Sequence, residues 1–304
     1  MSSLTPPPDT DQDWFDEAVL AAILALQYGN TSALQLERIM KETRQDIEAI
    51  IRSYRGGSPS RMINRIKGVV AKAAKRLEKK TDDAVAVLVA MESANLGARQ
   101  KDLRDAMLLA AIGGRTSKAL IKRYISDYLN SDLTARIREL TRSGAKGQAL
   151  IDGVRKILDS AERAAATVGV SRANAAVSEG RRRYAAANGL KLMWVSILDS
   201  RTTIQCANLD GEVWDAKEPH ALPPIHPNCR SSVVVLTGPK PKSRKGFREW
   251  LQDQPNDIQD TVLGKTRAEA WRSGALTISQ MVDATRTRPL SLERLRALGR
   301  LSGQ

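Results

Sequence analysis

Between Pro8 and Pro219 the 304-residue chain contains a single proline, Pro59. Proline cannot donate to the helical hydrogen-bond ladder and clashes with the preceding turn. Its near absence, together with apolar residues recurring at helical spacing, makes the region from Asp13 to about Asn188 read as helices. Aromatic residues are 4% of the chain against 42% hydrophobic overall, so these helices must pack through small aliphatic side chains. Asn30-Thr31-Ser32 offers an N-cap for a helix carrying Leu34, Leu36, Ile39, Ile47, Ile50 and Ile51, ending at Gly56-Gly57. Ser58-Pro59 restarts a second helix, with proline in the first turn. Thr81 with Asp82 and Asp83 marks a third start, and Gly113-Gly114 and Gly144 to Gly147 are further breaks. The last helix of the series is long, from about Ile151 to Ala187, and Asn188-Gly189 closes it.

After Gly189 the period becomes that of strands. Leu192 to Leu198, then Val213-Trp214 behind the Asp210-Gly211 turn, then Ser231 to Leu236 predict a small antiparallel sheet. The fold class is therefore α+β, predominantly α. The expected organisation is a disordered leader at 1–12, because Pro6 to Pro8 and scattered acids bury nothing, and a helical domain at 13–150. A long helix with a small α+β domain follows at 151–238, then a linker and C-terminal helices at 239–285, and a basic tail at 286–304. Pro239 to Gly246 is the basic linker, and Phe247 to Leu263 and Arg267 to Ser273 are read as two helices. Leu290, Leu292, Leu295 and Leu298 are docking points in the tail.

The formal net charge is +14, the sign expected of a surface that meets polyanions. No apolar run approaches the roughly 20 residues of a spanning helix, so no membrane partner is expected. The N-terminus lacks the basic and apolar regions of a secretory signal, so synthesis and folding in the cytoplasm are expected. Half the charge excess sits in residues 61–80, where Arg61, Arg65, Lys67, Lys72, Lys75, Arg76, Lys79 and Lys80 face one acid, Glu78. Met62, Ile66, Val69, Val70, Ala73 and Leu77 form one stripe of this helix, leaving a basic ridge on another face. Such a ridge tracks phosphates of double-stranded DNA without reading bases, and the bland alternative is a solvated face. Arg181-Arg182-Arg183 has a local reading, as cations opposing the negative end of the long helix.

Both cysteines and both histidines lie between Trp194 and Val235. Cys206, His226 and Cys229 are soft or borderline ligands, and H-x-x-C chelates one ion from one loop, so zinc is the cofactor to consider. His220, Asp199, Asp210 or water would supply a fourth ligand. The alternative is a buried thiol pair and a hydrogen-bonded histidine that pin the loop. A native disulfide is not expected of two cysteines in a reducing compartment. Asp199 is expected to cap the strand end and pair with Arg201, and Gly211 to supply the positive φ of a tight turn. An enzymatic use of the segment, as a metal-dependent DNA-processing or transferase centre, is the rival reading; a Cys/His dyad three residues apart has no third group to orient it.

The succession VSRANAAVSEGRRRYAAANG, KLMWVSIL, DSRTTIQCANLDGEVW and PPIHPNCRSSVVVL, from Ser171 to Leu236, closely resembles the phage Mu F-like family of minor head proteins. Residues 249–283 resemble the continuation found in many such proteins. The resemblance implies a virion component: a low-copy protein inside the head near the portal, with portal or major capsid protein as partner and a part in head morphogenesis and in packaging or ejection of DNA. Many relatives carry further cysteines at the positions of Thr203 and Ser231, so a four-cysteine zinc site does not carry over intact.

Overall fold

A computed structural model describes residues 11–112, 115–238, 245–283, 285 and 287–301. Contacts divide it into two compact units, one of Leu24–Gly180 with His226–Asn228, the other of Arg181–Ile225 and Cys229–Gln304 with the start of the chain to Ile23. The division falls inside two long helices, at 23/24 and at 180/181.

The first unit is helical. Helix α1 (Asp11–Arg52) is continuous through Asn30-Thr31-Ser32, where a start was expected. The hydroxyls of Thr31 and Ser32 donate back to the carbonyls of Gln27 (3.3 Å) and Tyr28 (3.1 Å), which absorbs both residues into the helix instead of capping one. Helix α2 (Ser60–Leu96) begins after Pro59 and ends at Gly97 in the left-handed conformation (φ 61°). It too runs through an expected start: the buried Thr81 hydroxyl donates to the Leu77 carbonyl at 2.6 Å. Helices α3 (Gln100–Leu109) and α4 (Ser117–Ile121) follow, then two π-helical stretches, Lys122–Asp127 and Leu129–Leu133, α5 (Thr134–Arg142) and α6 (Gly147–Ala187). Ile47, Ile51, Ile66, Leu77, Ile121, Leu129, Leu133, Ile137, Leu150, Val154 and Leu158 share one core drawn from α1, α2, the α4–α5 region and α6. The expected leader at 1–12 lies outside the described residues up to residue 10, and Asp11 and Gln12 already belong to α1. Gly113-Gly114 and residues 239–244 of the basic linker lie outside them too.

Helix α6 approaches α1 through glycine. A Cβ at Gly169 would stand 2.9 Å from the Ala33 Cα, and Gly29 faces Ala173 in the same way at 3.0 Å. Arg172 of α6 is 2% exposed and donates to the carbonyls of Leu108 (2.6 Å) and Ala110 (2.9 Å) at the end of α3. Those carbonyls have no partner within α3, so the guanidinium closes the helix end. Burial pushes its pKa down.

The second unit starts with the last turns of α6, which close at Gly189 (φ 65°) as the Leu190 N–H donates to the Ala185 carbonyl. Strand β1 (Lys191–Val195) is central, with β2 (Val213–Asp215) and β3 (Ser232–Leu236) antiparallel on either side; Leu192 pairs with Trp214 and Trp194 with Val233. All five residues of β3 are buried, which fits its unbroken apolar run. Arg181 is 3% exposed and donates to the Val233 carbonyl at 2.8 Å and the Ser232 hydroxyl at 3.2 Å. It therefore serves the sheet edge, not the helix dipole as expected from its place in Arg181-Arg182-Arg183.

Between β1 and β2 lies the short helix α7 (Ile204–Leu209). The C-terminal part adds α8 (Phe247–Gln252), α9 (Asn256–Leu263) and α10 (Lys265–Arg272), so the single helix expected over 247–263 is broken, with Pro255 at the N-cap of α9. A hairpin of β4 (Val282–Asp283) and β5 (Arg288–Pro289) and helix α11 (Leu292–Ala297) complete it. Ile204 and Ala207 of α7 pack with Phe247, Leu251, Leu263, Met281 and Leu295 in one core, with Leu290 and Leu292 partly buried against it. Leu298, expected to dock, is 42% exposed.

Two glycine substitutions test this packing. Gly68 of α2 has nothing within 4 Å of a built Cβ, so Gly68→Ala is expected to stabilise by about 0.5–1 kcal/mol through helix propensity alone. Gly169→Ala is expected to destabilise by about 1–3 kcal/mol, because the α1 backbone resists. Thermal or denaturant unfolding of both variants reads the opposite signs.

Candidate functional site

The segment from Trp194 to Val235 is organised by buried hydrogen bonds. The Ser196 hydroxyl accepts from the Trp194 indole N–H (3.0 Å), donates to the Cys206 carbonyl (2.9 Å) and lies 3.2 Å from the Ser231 hydroxyl. The Ser196 N–H donates to one oxygen of Asp210 (2.7 Å), and the Phe247 N–H at the start of α8 donates to the other (2.8 Å). One serine and one aspartate thus tie the end of β1 to α7, to the residue after Arg230, and to the C-terminal helices. Gly211 makes the turn at φ 78°, returning its N–H to the Trp194 carbonyl at 2.9 Å.

Within this frame the sulfurs of Cys206 and Cys229 lie 3.7 Å apart, both buried and not disulfide-bonded. His226 joins them, with one ligand atom from each of the three residues within 4.8 Å of the others. Residues 226–228 are bracketed by Ile225 and Cys229, so chain connectivity sets their place beside the thiols. The hydrogen bond with Cys229 and burial push the Cys206 thiol well above its ordinary range, against the hydroxyls of Ser231 and Thr203, which favour the thiolate. A cysteine nucleophile needs access and a lowered pKa. Cys206 has the opposite character.

The fourth-ligand candidates are placed elsewhere. His220 stacks on Trp214, ring centroids 3.9 Å apart, with its Nε2 3.4 Å from Glu212. Asp210 accepts the two backbone bonds just described. Asp199 takes a two-pronged ion pair from Arg230, at 2.6 and 2.7 Å, and accepts the Arg201 N–H at 3.0 Å. The expected side-chain pairing of Asp199 with Arg201 is thus replaced by one with Arg230, which straps the end of β1 to the residue following Cys229. Hydrogen bonding from Arg230 holds the Asp199 carboxyl below its usual range.

The eight basic residues from Arg61 to Lys80 all lie on α2 and are exposed. Arg76 pairs with Glu42 at 2.5 Å, Lys80 stands 3.9 Å from Asp83, and Arg65 reaches the Ser53 hydroxyl at 3.4 Å. Sequence reasoning did not anticipate the buried guanidiniums of Arg172 and Arg181. For Arg181 a signal existed: Ser171, Asn174, Ser178 and Arg181 recur at helical spacing among alanines, which marks a polar stripe too crowded by small residues to be a solvent face.

The fold is a helical scaffold carrying a small antiparallel sheet closed by a Cys/His loop. Residues 101–234, from α3 through β3, match the family model described as Phage Mu protein F like protein. Over this region, less than half of the chain, the protein is similar to the phage Mu F-like family. The match takes in the Cys/His loop and both buried arginines; α1, α2 and the C-terminal helices, including the likeness noted over 249–283, lie outside it. No curated protein and no solved structure matches the chain. No helix among the described residues is long and apolar enough to cross a membrane.

The Asp199–Arg230 strap has a signed pH dependence. A carboxyl whose pKa is depressed by folding adds stability that is present above its ordinary pKa of about 4 and lost as pH falls through the folded value. Arg230→Ala is therefore expected to cost about 1 kcal/mol or less at neutral pH, since both side chains are partly solvated. The difference from the parent should shrink as pH falls below about 4, read by denaturant unfolding at a series of pH values.

Proposed function

We propose that the protein is a minor head protein that sits inside the capsid near the portal, with portal or major capsid protein as its partner, and that α2 lies against packaged duplex DNA. The observation that carries the DNA contact is the geometry of α2. Arg61, Arg65, Lys72, Lys75, Arg76 and Lys79 fall on one exposed face, opposite the buried Met62, Ile66, Val70, Ala73 and Leu77. At 1.5 Å per residue the ridge is about 27 Å long, enough to follow several phosphates. The ion pair of Arg76 and the other contacts of the ridge are at the surface, where phosphate oxygens compete with them at little cost. Few aromatics interleave with the charges, which favours duplex over single strands. The interior location rests on the family and on the charge of +14, which suits confinement beside DNA.

Binding of unrelated duplexes, followed by anisotropy against salt, tests this. Equal affinity for different sequences is expected, with log K falling against log salt at a slope of roughly −5 if all six cations engage. Charge reversal of Lys72, Lys75 and Lys79 to Glu should remove about three units of that slope and weaken binding at least ~100-fold. Salt-insensitive or undetectable binding would assign the ridge to a protein surface. Metal-dependent cleavage of the duplex, abolished by His226→Ala, would make the protein an enzyme instead.

A further inference from the structure

From the arrangement of Cys206, His226 and Cys229 we infer that the loop binds one zinc ion through three protein ligands, with the fourth position left to water. Two sulfurs held by one tetrahedral zinc at about 2.3 Å each stand about 3.8 Å apart. The Cys206 and Cys229 sulfurs already stand 3.7 Å apart, whereas a disulfide requires about 2.0 Å. The metal therefore enters with almost no movement of the thiols, and His226, on a half-exposed loop, closes the remaining gap by rotation.

Two features outside the ligands support a cation here. The Nδ1 of His226 lies 2.9 Å from the Pro227 carbonyl, and as donor to it leaves the ring lone pair on Nε2, the tautomer a metal takes. The hydroxyls of Ser231 and Thr203 hydrogen-bond to the Cys206 sulfur, the arrangement that stabilises a metal-bound thiolate. Because Asp199, Asp210 and His220 are committed to Arg230, to two backbone N–H groups and to Trp214, none completes the tetrahedron. Ser231 and Thr203 both stand beside the Cys206 sulfur, so a cysteine at either place would bring a further sulfur to the ion.

The test uses the reduced, metal-stripped full chain titrated with cobalt(II) and then displaced with zinc. One cobalt per chain is expected, with an intense thiolate charge-transfer band and the visible bands of a tetrahedral ion. Cys206→Ser and Cys229→Ser should each lose the charge-transfer intensity of one sulfur and bind weakly, and His226→Ala should bind at least ~10-fold more weakly. Ser231→Cys retains every ligand and should bind at least ~10-fold more tightly, with a stronger band, which keeps the test decisive if the Cys→Ser chains fail to fold. A folded parent and a folded Ser231→Cys chain that both lack the band overturn the site, as does His226→Ala binding with undiminished affinity.

Discussion

The second unit depends on the Ser196–Asp210 knot, in which Ser196 is buried and Asp210 partly so. A β-strand that ends inside a protein leaves backbone groups to be satisfied, and each one left over costs about 1–3 kcal/mol. Here one hydroxyl and one carboxylate serve the end of β1, the Trp194 indole, the Cys206 carbonyl and the first N–H of α8 together. Because these partners, with the Ser231 hydroxyl 3.2 Å from that of Ser196, come from four separate stretches of chain, the knot fixes where α7 and the segment after Cys229 can lie. The thiols meet because the backbones that carry them are already held.

Helix α7 links this knot to the rest of the unit. Its Cys206 faces Cys229, while Ile204 and Ala207 pack against Phe247, Leu251 and Met281. The C-terminal helices lie outside the family match, yet they supply the apolar wall that seats the cysteine helix. In the helical unit the corresponding device is close approach, where Gly169 and Gly29 let α1 and α6 come within backbone contact and Arg172 closes the end of α3.

Much of this was legible in the sequence, and the failures have physical causes. The change of period at Gly189 located the sheet, and all three strands fall where β-branched and aromatic residues cluster. Helix continuity was misread at Thr31-Ser32 and at Thr81, because a hydroxyl that caps a helix and one that bonds back to the preceding turn look alike in sequence. The Cys206, His226 and Cys229 trio could be named from residue type and spacing. Its geometry could not, since Arg230 capturing Asp199 and backbone N–H groups capturing Asp210 are tertiary events. The eight cations of α2 were readable in full, because an exposed face facing away from an apolar stripe needs only helical periodicity.

Two parts of the molecule are thus built differently: the Cys/His segment ties the small domain together, and α2 presents the exposed basic face that we propose meets DNA. Photochemical crosslinking of DNA-filled heads, followed by mass spectrometry of the peptides that retain nucleotide, tests that division most directly. The account predicts that the chain is found in the particles and that its nucleotide adducts concentrate on peptides from residues 61–80. Absence of the chain from filled heads, or adducts confined to residues 194–235, would contradict it.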